Sequence, residues 1–91
     1  DVLMRWATAL SRAGQGDLAL RVLAPYLSRH LDDGDRLLLA MRLIFDARTA
    51  GRAIESTGAD RTRFVKYFDA YAAIKGADLE RAREWRKFVD R

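Results

Sequence analysis

The segment LMRWATAL at residues 3–10 recurs in outline 34 positions later as LLLAMRLI at residues 37–44. The apolar positions that coincide are Leu3 with Leu37, Trp6 with Ala40, Ala7 with Met41, and Leu10 with Ile44. Their spacing is that of one face of an α-helix. Thirty-four residues is also the length of a helix–turn–helix unit that buries its apolar face against neighbouring copies. The pattern therefore predicts an all-α chain that is a piece of a longer helical array.

The composition is that of an ordinary globular domain. The chain has 91 residues, 49% hydrophobic and 33% charged, which predicts one folded domain rather than a disordered segment. Its formal net charge is +4. Because acidic residues are interleaved with the basic ones, we interpret the surface first as mixed and solvated, and second as a footprint for a polyanion. The absence of cysteine excludes disulfides, thiolate nucleophiles and cysteine metal sites.

Helical periodicity divides the chain into six segments. They cover residues 1–13, 18–31, 36–48, 50–56, 60–74 and 79–89. Pro25 lies inside the second segment and removes one backbone hydrogen bond, so we expect a bent helix there. The third segment is apolar nearly all round, which predicts the central, most buried helix.

Turn and capping residues separate these segments. Gly14 ends the first helix in a left-handed conformation, and Asp17 is predicted to cap the second. Asp33 or Asp35 is predicted to cap the third, and Asp60 the fifth. The resulting single domain, 1–91, divides into units of about 1–33, 34–59 and 60–91.

The apolar and small positions of these units resemble the tetratricopeptide repeat. The matching residues of the first unit are Leu3, Trp6, Ala7, Leu10, Gly14, Ala19, Leu23 and Tyr26. Those of the second are Leu37, Ala40, Met41, Ile44 and Ala53, and those of the third are Phe64, Tyr67, Phe68 and Tyr71. Because Phe64 follows Leu37 by only 27 residues, the second unit is expected to be short.

The resemblance implies antiparallel helix pairs, five to six helices in all, stacked as a right-handed superhelix. It also implies that the first helix of each unit lines a concave surface that binds a peptide or protein partner. The groove positions carried over from the family include Thr8, Arg12, Leu38, Arg42, Phe45, Lys66 and Asp69. Arginine and lysine there are suited to acidic or polar peptide segments through charge-assisted hydrogen bonds.

No reactive constellation accompanies this pattern. His30 is the single histidine, and it stands beside Asp32 and Asp33 in a turn better explained by helix capping than by metal binding. The serines have no histidine and acid arranged around them in a known motif. We therefore predict no catalysis, no metal and no cofactor.

The function expected from the sequence is a protein–protein interaction module, an adaptor or scaffold segment of a larger chain. One alternative is a basic helical domain that binds nucleic acid, because Trp85 lies among Arg81, Arg83, Arg86 and Lys87. Another is a structural spacer that forms a homodimer through its terminal helices. No apolar run is long enough to span a bilayer, so no membrane insertion is expected.

Overall fold

Five α-helices make up the computed structural model, which describes residues 1–90. They are α1 (Val2–Arg12), α2 (Gly16–Leu27), α3 (Gly34–Thr49), α4 (Thr57–Ala72) and α5 (Leu79–Val89). The described residues contain no strand, and the prediction of an all-α fold is confirmed. The last predicted unit, 60–91, ends at Arg91, which lies outside the described residues.

Side-chain caps begin three of the helices. The carboxylate of Asp1 accepts a hydrogen bond from the backbone of Met4, and Asp33 accepts one from Arg36. The hydroxyl of Ser56 caps α4, so the prediction that Asp60 caps this helix is wrong. The predicted cap Asp17 is also wrong, because α2 begins after Gln15 and Asp17 lies within its first turn.

The predicted helix over residues 50–56 is wrong, because these residues form a loop. Helix α3 ends in a Schellman turn, in which Gly51 has a φ of +73° and the N–H of Arg52 donates to the carbonyl of Ala47 at 2.8 Å. The loop is then tied to α4 by the buried carboxylate of Asp60, which accepts from the N–H groups of Ile54 at 2.7 Å and Glu55 at 3.1 Å. These bonds satisfy backbone donors that a helix would have satisfied internally.

Helix α2 is shorter than the periodicity indicated. It ends at Leu27, two residues after Pro25, and Leu31 lies in the following turn with its side chain exposed. Backbone hydrogen bonds from Arg29 to Tyr26 and from His30 to Leu27 close the turn instead. The prediction that the helix continues through Leu31 is therefore wrong.

One hydrophobic core joins all five helices. Helix α1 packs on α2, α2 on α3, and α3 on both α4 and α5, which also pack on each other. Helix α3 contributes the most buried apolar side chains, which confirms its predicted central place: Leu37, Ala40, Met41, Leu43, Ile44 and Ala47. Short connections of this kind favour antiparallel packing of successive helices.

A buried arginine holds the start of α1 beside the start of α3. Arg36 is only 8% exposed and forms ion pairs with Asp1 and, at 2.6 Å, with Asp33. Its guanidinium lies 4.6 Å from the ring centre of Tyr26, whose hydroxyl donates to Asp33 at 3.0 Å. This junction fixes where α1 meets α3, and so it positions the groove described next.

Candidate partner-binding groove

Helices α1, α3 and α5 together line a groove of about 300 Å³, here called the α1–α3–α5 groove. Its lining residues are Met4, Thr8, Asp35, Leu38, Leu39, Arg42, Arg81 and Trp85. The helices that lie between these three in sequence, α2 and α4, contribute none of this lining. The groove is therefore built from alternate helices of the chain.

The 34-residue recurrence coincides with the lining of this groove. Met4 and Leu38 are separated by 34 positions, as are Thr8 and Arg42, and all four side chains reach the groove. Within each helix the two residues stand four positions apart, which places them on one face. The repeated pattern thus presents equivalent surfaces of α1 and α3 side by side.

Aromatic packing fixes the side of the groove formed by α5. The ring of Phe45 on α3 stacks against the indole of Trp85 with 5.7 Å between ring centres, and meets Phe88 edge-on at the same distance. Ala82 and Val89, three positions before and four positions after Trp85 on the same helix, are buried and anchor α5 to the core. Trp85 is consequently held half-buried, with part of its surface in the groove.

The charges of the groove are mostly positive. Arg81 is exposed and makes no ion pair or hydrogen bond with residues 1–90, whereas Arg42 lies 3.7 Å from Asp46. Both members of this Arg42–Asp46 pair are more than half exposed, so the pair contributes less than about 1 kcal/mol. Asp35 is the acidic side chain of the lining.

A second hollow, of about 460 Å³, continues the groove along α1. It is lined by Asp1, Met4, Arg5, Thr8, Ala9 and Arg12, so it shares Met4 and Thr8 with the groove itself. Arg5 and Arg12 are exposed there and pair with no acidic group in the part of the chain that the structure describes. The surface available to a partner therefore extends from α5 across α3 and onto α1.

The structure brings together some of the predicted site residues and separates others. Thr8, Leu38 and Arg42 line the groove, Arg12 lines the adjoining hollow, and Phe45 lies behind Trp85. Lys66 and Asp69 belong to α4 and do not line the groove. Their placement as groove residues assumed that this helix is the first of a third unit, whereas the helix that lines the groove beside α3 is α5.

Arg81 and Trp85 are groove residues that the sequence did not indicate. From the sequence, both residues are interpreted as part of a basic surface for nucleic acid, and this interpretation overlooks that α5 stands next to α3 at the groove. The periodicity of α5 predicts which of its faces is apolar, but it does not predict which helix that face contacts. The contact depends on the length of the loop at residues 50–56, which sets the positions of α4 and α5 relative to α3.

The remaining cations of α5 are directed toward different neighbours. Arg86 lies 3.9 Å from Asp69 and 3.5 Å from Asp90, and its guanidinium stacks on Phe68 at 4.7 Å. Lys87 pairs with Glu84 at 3.3 Å. These contacts neutralise part of the basic stripe, so the geometry of α5 gives no particular support to nucleic-acid binding.

Two further observations bear on the sequence predictions. His30 stacks on Tyr26 with 4.2 Å between ring centres, and residues 1–90 contain no group of three or more His, Cys, Asp or Glu side chains arranged to hold a metal.

Across the same residues, no helix has both the length and the apolar character needed to cross a bilayer.

Comparison of the chain with models of protein families, with curated proteins and with solved structures finds no match. The groove is therefore the feature of the chain that bears on its function.

Proposed function

We propose that this chain is a non-catalytic protein-interaction module that binds an extended peptide along the α1–α3–α5 groove. The observation that carries the proposal is that α1 and α3 place the equivalent positions Met4 and Leu38, and Thr8 and Arg42, in one concavity that α5 completes. Such a surface is suited to a partner segment, because apolar floor and charged rim recur along it.

The proposal includes a tetratricopeptide-like arrangement with revised units. Helices α1 and α2 form one pair, α3 and α4 a second, and α5 is the first helix of a third. The second unit is then longer than 34 residues, because the loop at residues 50–56 replaces the three-residue connection between α1 and α2. The sequence-based boundary after residue 59 falls inside α4 and is replaced by one before α5.

The size of the groove agrees with a short peptide. Three helices side by side, each about 10 Å in diameter, have outer axes roughly 20 Å apart. An extended chain advances about 3.3 Å per residue, so about six residues cross the three helices. Such a partner would be a short segment of another protein.

The proposal is tested by selecting groove-binding peptides from a displayed random library and mapping them by amide chemical shifts. We expect selected peptides to perturb Thr8, Leu38, Arg42 and Trp85. Thr8→Arg, which places a large side chain in the groove, should abolish binding. Thr62→Arg adds the same side chain at an exposed position of α4 and should leave binding unchanged. Shifts confined to other surfaces, or equal binding by both variants, would contradict the proposal.

Self-association is a second candidate, favoured by exposed apolar side chains on the first helix pair. Val2 is 81% exposed, Trp6 55% and Leu18 39%. A stacked neighbour or a second copy would cover these residues. Sedimentation equilibrium at high concentration decides the matter: a dimer that Trp6→Glu dissociates supports it, and a monomer throughout excludes it.

A further inference from the structure

We infer that the α1–α3–α5 groove selects an acidic peptide, in which carboxylates flank a large apolar or aromatic side chain. This inference rests on the proposed function, since it specifies the chemistry of the peptide that the groove binds.

The apolar part of the inference comes from the floor of the groove. Met4, Leu38 and Leu39 line it beside the indole of Trp85, which Phe45 supports from behind. A rigid indole next to aliphatic side chains offers a flat apolar surface of the kind that anchors a ring or a leucine of a partner. One large apolar residue of the peptide is expected to bury itself there.

The acidic part comes from the cations around this floor. Arg42 and Arg81 belong to the lining, and Arg5 and Arg12 continue the positive surface along α1. Arg81 makes no ion pair within residues 1–90, and the exposed contact of Arg42 with Asp46 is weak enough to be exchanged for a ligand. Guanidinium groups bind carboxylates through two parallel hydrogen bonds, so acidic residues next to the anchor gain charge-assisted contacts.

The same features favour a peptide over nucleic acid. A phosphate backbone draws most of its affinity from a continuous set of cations, whereas here apolar Leu38 and Leu39 share the lining with Arg42 and Arg81, and Asp35 adds an opposing charge. A peptide in which acidic and apolar side chains alternate can contact both the arginines and the apolar residues of the groove.

The test uses fluorescein-labelled peptides that differ only in charge or in the anchor: GSEEFEEGS, GSQQFQQGS, GSKKFKKGS and GSEEAEEGS. Fluorescence anisotropy at low salt should give the tightest dissociation constant for GSEEFEEGS, about tenfold weaker binding for the glutamine peptide, and no binding for the lysine peptide. Replacing phenylalanine by alanine should also weaken binding about tenfold, because the anchor is lost.

Two arginine variants of α5 provide the matched comparison. Arg81→Gln removes a groove cation, and Arg83→Gln removes an exposed cation of the same helix that does not line the groove. We expect Arg81→Gln to lower the preference for GSEEFEEGS over GSQQFQQGS by at least threefold, and Arg83→Gln to leave it unchanged. Circular dichroism verifies that both variants are folded, and Arg42→Gln serves as a second groove variant.

Three results would overturn the inference, and they differ in what they leave standing. Library peptides that map to the groove but lack acidic residues would overturn it and leave the proposed function intact. Failure of every peptide, selected or synthetic, to bind the groove would overturn both this inference and the proposed function. Tighter binding of a ten-nucleotide oligothymidylate than of GSEEFEEGS would replace the peptide by nucleic acid.

Discussion

Phe45 of α3 stacks on Trp85 of α5 with 5.7 Å between the ring centres and 27° between the ring planes. The contact joins the central helix to the last one and forms one side of the α1–α3–α5 groove. Because both rings are only partly buried, the contact contributes to the shape of the groove as well as to stability. Substitution of either ring is therefore expected to change peptide binding in the groove and to lower the free energy of unfolding.

Substitution Phe45→Leu should lower the unfolding free energy by about 1–2 kcal/mol, less than for a fully buried phenylalanine. Trp85→Leu should lower it by a similar amount. The double variant should lose less than the sum of the two, with a coupling of about 1 kcal/mol for the aromatic pair. Urea denaturation of the four proteins measures the coupling, and strictly additive losses would show that the rings do not interact.

Arg36 should be the most sensitive charged residue of the chain. Arg36→Met removes ion pairs with Asp1 and the half-buried Asp33, but it also removes a buried Nε that donates to no acceptor within residues 1–90. We expect a net loss of about 2 kcal/mol, below the usual cost of breaking a buried pair. Arg42→Met, which breaks an exposed pair, should cost less than about 1 kcal/mol. Equal losses in urea denaturation would contradict this account.

Asp60 should stabilise the loop at residues 50–56. Asp60→Asn keeps the size of the side chain but replaces one acceptor oxygen by an NH₂ group, which is a donor. The asparagine side chain can therefore no longer use two oxygens to accept from the N–H groups of Ile54 and Glu55. We expect a loss of about 1–2 kcal/mol and faster hydrogen exchange at these two amides. Asp69→Asn on the exposed side of the same helix is the control and should change neither quantity. Unchanged exchange in Asp60→Asn would exclude the tether.

Alkaline pH should weaken the fold in part through Tyr26. The hydrogen bond to Asp33, followed by burial and the charges of Asp33 and Asp32, raises the pKa of Tyr26 above 10.0. A pKa that is higher in the folded state favours the neutral phenol. The stabilisation that Tyr26 contributes to the fold is therefore complete below pH 10, and it is lost as the pH rises through the pKa that Tyr26 has in the folded state. Burial raises the pKa of Tyr67 in the same direction, partly offset by Arg63.

The pH dependence is checked with Tyr26→Phe. Unfolding free energies of wild type and variant, measured between about pH 9 and pH 12, should converge as the pH rises, because the wild type alone loses the tyrosine hydrogen bond. Absorbance at the tyrosinate band provides the titration directly. Curves that stay parallel over this range would show that Tyr26 titrates as it does in the unfolded chain.

Much of the fold could be predicted because apolar spacing is a local signal. The stripe of Leu3, Ala7 and Leu10 indicates a helix regardless of its neighbours, and apolar residues on most sides of α3 indicate a central position. The loop at residues 50–56 could not be predicted in this way. Its structure depends on Asp60, whose carboxylate satisfies backbone groups of the loop, and single-residue propensities do not contain that contact.

The groove residues could be predicted only on α1 and α3, the helices that contain the 34-residue recurrence. Thr8, Leu38 and Arg42 were expected from the resemblance to the tetratricopeptide repeat, and all three line the groove. Arg81 and Trp85 do not follow, because their register depends on how the chain returns after α4. The buried role of Arg36 was missed for a similar reason: its partner Asp1 is distant in sequence and belongs to another helix.

The central claim, that a peptide binds between α1, α3 and α5, is tested most directly by the fluorescence of Trp85. The chain has two tryptophans, so Trp6→Phe leaves Trp85 as the single reporter at the groove. Titration with GSEEFEEGS, or with a library-selected peptide, should shift its emission in a saturable manner, and Thr8→Arg should abolish the shift. Peptides that bind without changing the emission of Trp85, or that bind the Thr8→Arg variant equally well, would contradict the claim.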